Sequence, residues 1–140
     1  MYLLDTNVVS ELRKARSRKA DGNVLAWAAS IPTQSLFLSS ITILELEIGV
    51  LLVERRDPAQ GSVLRAWLEN HVLPAFAGRI LAVEPAVAQR CAKLHVPDRR
   101  ADRDALIAAT ALTYGLTVVT RNIVDFAPTG VLIIDPWQSA

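Results

Sequence analysis

The 140-residue chain has a single cysteine, Cys91, so no internal disulfide can form, and its two histidines, His71 and His95, show no zinc-ligand spacing with it. No basic segment followed by a long apolar stretch opens the sequence, and no run approaches the roughly 18 apolar residues that a membrane span needs. These absences point to a cytoplasmic, zinc-free protein that is neither secreted nor inserted in a membrane. Charge of one sign is missing as well. The 15 Lys and Arg stand against 14 Asp and Glu, a net charge of +1, so charge alone announces no nucleic-acid partner. Trp27, Trp67 and Trp137 do not interleave with the basic residues, so a base-stacking platform is not indicated. What the chain does have is apolar mass. With 51% hydrophobic and 21% charged residues, a single domain spanning residues 1–140 can bury a real core.

The apolar residues come in short runs and longer stripes. Tyr2-Leu3-Leu4 ends at the turn-favouring Asp5-Thr6-Asn7, which predicts a buried strand feeding a short helix near Val8 to Arg13. The dense basic run Arg13 to Lys19 reads as an exposed loop before a helix from Val24 to Ile31, and Ser35 to Ser39 reads as a second strand. Ile41, Leu44, Ile48, Leu51 and Leu52 follow helical spacing, and a further helix from Ala59 to Leu73 stops at Pro74. Stripes such as Leu44/Ile48/Leu51 and Val63/Trp67 are expected to be mostly core. A third strand at Ile80 to Val83 precedes a helix from Pro85 to Leu94, and an alanine-rich helix from Asp102 to Tyr114 ends at Gly115. Strand Leu116 to Val119, a loop from Thr120 to Gly130 and a last strand, Val131 to Ile134, close the chain. Short strands alternating with helices predict an α/β fold with a central parallel sheet flanked by helices on both faces.

In such sheets ligands bind at the carboxyl ends of the strands. Asp5 lies past the first strand, Glu45 early in the helix after the second, Asp104 at the start of the helix before the fourth, and Asp125 in the loop after it. Four carboxylates can therefore converge, and their repulsion calls for a hard divalent cation such as Mg²⁺ or Mn²⁺. Each acid also has a plainer reading. Asp5 can cap a helix, Glu45 can close a capping box with Thr42, Asp104 can favour a helix N-terminus capped by Asp102, and Asp125 can be a solvated loop acid.

The segments Tyr2 to Glu11, Ser39 to Gly49, Asp104 to Ala111 and Thr120 to Phe126 together resemble the PIN domain. Within that family they are similar to the VapC-type ribonuclease toxins of VapBC toxin–antitoxin modules, close to the FitB-like branch. The resemblance implies a Mg²⁺- or Mn²⁺-dependent endoribonuclease site with Asp5, Glu45, Asp104 and Asp125 as its acids. It implies supporting polar roles for Thr6, Asn7, Thr42, Thr120 and Asn122. RNA is then the substrate, and a cognate antitoxin and a second copy in a homodimer are the protein partners. Arg13, Lys14, Arg16, Arg18 and Lys19 are candidate contacts to RNA phosphates, with Arg99, Arg100 and Arg103 on the other side. The competing readings are a DNA nuclease with a related site, a Mg²⁺-binding receiver-like module and a cleavage-inactive nucleic-acid-binding module. A receiver would need a mid-chain phosphoacceptor Asp at a strand end and a late Lys, and no Lys follows Lys93.

Overall fold

Leu3 and Leu4 are neighbours in sequence, and neither exposes any surface. Adjacent strand residues point to opposite faces, so this is possible only where both faces of the sheet are covered. Both lie on β1 (Tyr2–Leu4), and Val118 and Val119 on β4 (Thr117–Val119) repeat the pattern. Leu3 and Val118 join a core with Ile107, Ala108 and Phe126, whereas Leu4 and Val119 join another with Val8, Leu46 and Leu68.

The computed structural model describes residues 1–138 and adds β2 (Leu36–Ser39), β3 (Ile80–Leu81) and β5 (Ile133–Ile134). Among the described residues the sheet order is β3-β2-β1-β4-β5, with every neighbouring pair parallel. Parallel neighbours need crossovers, and helices supply them. The connection from β1 to β2 holds α1 (Thr6–Arg13) and α2 (Gly22–Ser30). The next holds α3 (Ser40–Arg56), α4 (Pro58–Trp67) and the short α5 (Leu73–Ala75). Then α6 (Pro85–Leu94) and α7 (Asp102–Tyr114) lead to β4, and the one-turn α8 (Ile123–Phe126) leads towards β5. The parallel α/β fold expected from the alternation is the one observed.

Several local expectations are corrected. The helix expected to stop at Pro74 runs on to Ala75 through a widened turn at Leu68–Val72, so Pro74 lies in its last turn. The expected loop after β4 contains α8, organised by the fully buried Phe126. On α3 the core stripe is Thr42, Leu46 and Val50, while Leu44 and Leu51 are 46% and 53% exposed. Val63 on α4 is exposed too, although Trp67 packs against the core. Because α3 carries apolar residues on more than one face, spacing alone could not select the buried one.

Gly61 sets how closely α4 can approach α3. A Cβ there would lie 2.7 Å from the Glu54 backbone nitrogen and nearer still to its Cα. Beside this crossing Arg65 pairs with Glu47 at 2.6 Å and Glu54 at 3.0 Å. Gly61→Ala is expected to lower stability in urea unfolding by about 1–3 kcal/mol through overpacking. Gly49→Ala, in open space on α3, should instead gain about 0.5–1 kcal/mol. Equal effects at the two sites would contradict the close crossing.

Candidate active site

In the order β3-β2-β1-β4-β5 the chain leaves β1 toward β2 and β4 toward β5, so a crevice opens between the carboxyl ends of β1 and β4. Asp5 stands there. Its N–H donates to the Val119 carbonyl at 2.9 Å, extending the β1/β4 ladder by one step before the chain turns into α1. Its Oδ1 then accepts from the Thr6 N–H at 2.8 Å and caps α1. The other oxygen, Oδ2, accepts from the Thr120 hydroxyl at 2.8 Å. Thr120 Oγ1 is itself held by the Asn122 backbone N–H at 2.9 Å and by Asn7 Nδ2 at 3.3 Å. The Asp5 carboxylate is thus pinned from β4 and from α1 while only 4% exposed.

Glu45 reaches the same place from α3. The Thr6 hydroxyl donates to its Oε1 at 2.7 Å, and Arg103 Nη1 lies 3.6 Å from its Oε2. Asp104 is the third residue of α7 and is half-buried, whereas Asp125 on α8 is exposed. These two share the lining of one cavity of about 210 Å³ with Arg99 and Arg100.

The acids act on one another. Burial pushes the Asp104 carboxyl up from its ordinary 3.8 to about 6, repulsion from Asp5, Asp125 and Glu45 adds to the rise, and Arg103 opposes it. Burial likewise raises Asp5, partly offset by the hydrogen bonds from Thr120 and Thr6, with repulsion from Glu45 and Asp125 added. Repulsion from the neighbouring acids thus adds to burial at Asp5 and Asp104, and Arg103 offsets only part of it at Asp104. The donors are carboxylate oxygens with no thiolate or imidazole, a set that suits a hard divalent cation. Among the described residues no three His, Cys, Asp or Glu side chains gather closely enough to hold a metal ion by themselves. Waters and substrate oxygens would have to complete the coordination of an ion held by fewer acids.

Of the predicted supporting residues, Thr6, Asn7 and Thr120 contact the acids directly, and Asn122 acts through its backbone on Thr120. Thr42 is fully buried, and its hydroxyl has no hydrogen-bond partner among the described residues. No capping box forms between Thr42 and Glu45, because Ser39 caps α3 by accepting from the Ile41 N–H. Asp102 is not the cap of α7 either; Ala101 occupies that position without a side-chain bond, and Asp102 is exposed. The basic run lies at the other end of α1, about 12 Å from Asp5 at helical rise. There Arg13 stacks over Trp67 and Lys14 pairs with Glu11 at 3.1 Å, and Arg13 and Arg16 line an apolar groove of about 640 Å³ against α4. The contact missed from sequence is Arg103 with Glu45. Its only signal was the position next to Asp104, which does not reveal a partner on another helix.

The PIN domain family model matches residues 2–127. A VapC ribonuclease of Sinorhizobium fredii is 37% identical over 145 residues, covering 100% of both chains. Toxin FitB of Neisseria gonorrhoeae is 38% identical over 144 residues, covering 99% of each. The crystal structure of FitAcB from Neisseria gonorrhoeae superposes with a TM-score of 0.89 at 37% identity, again over 99% of both chains.

The raised Asp104 carboxyl has a measurable consequence. Folded, it keeps its proton to about pH 6, whereas the unfolded chain releases it near 3.8, so between these values the folded state binds more protons and stability falls as pH rises. Asp104→Asn should flatten that fall and raise the melting temperature of metal-free protein at pH 7. Melting curves in EDTA from pH 4 to 7.5 check this, and a lower Tm for the variant at pH 7 would refute it.

Proposed function

Since the chain belongs to the PIN domain family, we propose that it is the ribonuclease toxin of a toxin–antitoxin module and hydrolyses RNA phosphodiester bonds with Mg²⁺ at the β1/β4 crevice. The observation that carries this reading is the rim itself: four acids around the carboxyl ends of β1 and β4, one of them buried and pinned, with mutual repulsion that raises the Asp5 and Asp104 carboxyls. PIN-domain ribonucleases as a class depend on divalent metal. Asp5, Asp104, Glu45 and Asp125 would hold Mg²⁺, with Mn²⁺ able to replace it. When bound, the ion would supply Lewis-acid activation of water and charge stabilisation at phosphorus.

The chain's own residues supply position. Thr120 and the Thr6 N–H fix the two oxygens of Asp5, so its lone pairs toward the crevice have one orientation. The Thr6 hydroxyl sets the rotamer of Glu45 from the residue beside Asp5. Asn7 accepts from the Arg121 N–H and donates to Thr120, tying the loop after β4 to the start of α1. This holds the Asp125 segment against the rim. The RNA strand is bound where a cation turns an acidic crevice into an anion-attracting one.

The same reading places the chain in the cytoplasm with an antitoxin and a second copy as partners. The exposed Leu44, Leu51, Leu52 and Val63 on two adjacent helices support protein partners, since apolar side chains gathered on a surface favour burial against another chain.

Incubating the protein with total RNA in Mg²⁺ or in EDTA, and mapping the cut ends, tests the proposal. Cleavage should require the metal. Asp5→Asn and Asp104→Asn should each lower the rate by more than about 100-fold with the fold retained, and Thr120→Val should cost about 10–100-fold by releasing Asp5. Undiminished cleavage by either acid variant would remove the assignment.

A further inference from the structure

Three arginines surround the start of α7, and they are held differently. Arg99 is 83% exposed and lies 3.9 Å from Asp102, while Arg103 faces Glu45. Arg100 is half-buried and anchored twice: its backbone N–H donates to His95 Nδ1 at 3.0 Å, and its Nε donates to the Leu94 carbonyl at 3.3 Å. Among the described residues no carboxylate comes within ion-pair distance of its guanidinium. The two terminal nitrogens remain, on a group that borders the cavity shared with Asp104 and Asp125.

A partly desolvated guanidinium beside two acids would ordinarily swing to pair with one of them, because the attraction strengthens as water is excluded. Arg100 does not: its Nε is bonded to the Leu94 carbonyl at the end of α6, and the residue borders the cavity lined by the proposed metal ligands Asp104 and Asp125. Guanidinium donors in a planar fork match phosphate oxygens bidentately. Val124, which is 85% exposed, and Pro128 form apolar wall next to it, suited to the body of a nucleotide rather than to a bare ion.

We propose that this cavity is a subsite for a phosphodiester adjacent to the scissile one, with Arg100 as its binding residue. The inference rests on the ribonuclease reading and adds where the strand runs: from the acid rim across Asp104 and Asp125 to the α6–α7 loop. It also shifts substrate contact away from the basic run at the far end of α1.

The test measures binding of a fluorescent single-stranded RNA oligonucleotide to the full chain in Mg²⁺, on an Asp104→Asn background that blocks cleavage. Arg100→Ala should raise Kd about tenfold and make the slope of log K against log salt shallower by about 0.7, the loss of one phosphate contact on a single strand. Arg100→Lys should restore the slope but only part of the affinity. Arg90→Ala, an exposed arginine on α6, should change neither. If Arg100→Ala lowers the melting temperature, Arg100→Gln keeps a donor for the Leu94 carbonyl without the charge and should still show the shallower slope. In the cleavage-competent chain, Arg100→Ala should raise KM about tenfold and leave kcat within about twofold. An unchanged Kd and slope, or an equal loss with Arg90→Ala, would overturn the subsite and leave the ribonuclease reading standing. Absence of both RNA binding and metal-dependent cleavage in the parent chain would overturn both.

Discussion

The site depends on one hydrogen-bonded carboxylate. Asp5 ends the β1/β4 ladder through its N–H to Val119, begins α1 through its Oδ1, and meets β4 again through Thr120. Two of the other acids are positioned through the residues that follow it. Thr6, the next residue, positions Glu45, and Asn7, the one after, ties down the loop that carries Asp125. Three consecutive residues thus join two distant segments of chain, α3 and the end of β4 with its following loop, at the strand ends beside the topological switch point.

Holding Asp5 this way has a cost in stability. A carboxylate at 4% exposure, with three more acids acting on it or its neighbour, is disfavoured in its charged form. The fold tolerates the strain because the elements beneath are determined independently of it. Leu3, Leu4, Val118 and Val119 are fully buried in two separate cores, and those contacts set the spacing of the β1 and β4 ends whatever the charge above them. Thr6, Thr120 and Asn7 then supply neutral donors, which orient the acids without neutralising them. Among the described residues Arg103 is the one charged counterweight close to Glu45, and at 3.6 Å with its side chain half exposed it is loosely held.

Much of this was legible in sequence where a local rule is strong. Tyr2-Leu3-Leu4-Asp5 reads as a buried strand with a polar stop because a doubly covered parallel strand leaves no room for alternation. The end of α7 is legible at Gly115, whose φ of 70° is the left-handed conformation that a helix terminus often requires. Legibility fails where the cause is non-local. α8 is four residues long and forms around the buried Phe126, which no periodicity over so short a span can announce. The Thr6–Glu45 bond joins residues 39 apart, so Thr42, at capping-box spacing, looked like the partner instead. Side-chain stripes on α3 misled for a related reason, since a helix apolar on several faces does not say which face meets the sheet.

The charge balance shows the same limit in another form. A total of +1 suggests indifference to polyanions, and the conspicuous basic run from Arg13 to Lys19 suggests where such a polymer would bind if it did. The fold adds to both observations what each charge is paired with. In that run Lys14 is paired with Glu11, and Arg13 lies over the Trp67 ring at the end of α1 away from the acids. Arg100 carries little weight in composition, yet it borders the cavity of Asp104 and Asp125 with its Nε on the Leu94 carbonyl and, among the described residues, no paired carboxylate. What attracts a phosphate is charge that is fixed and unpaired, because a mobile or already paired cation must first surrender water or a partner. Net charge cannot register that distinction, and a sequence run registers only density. In the proposed subsite that distinction rests on the contacts of Arg100 with His95 and Leu94 and of Arg103 with Glu45.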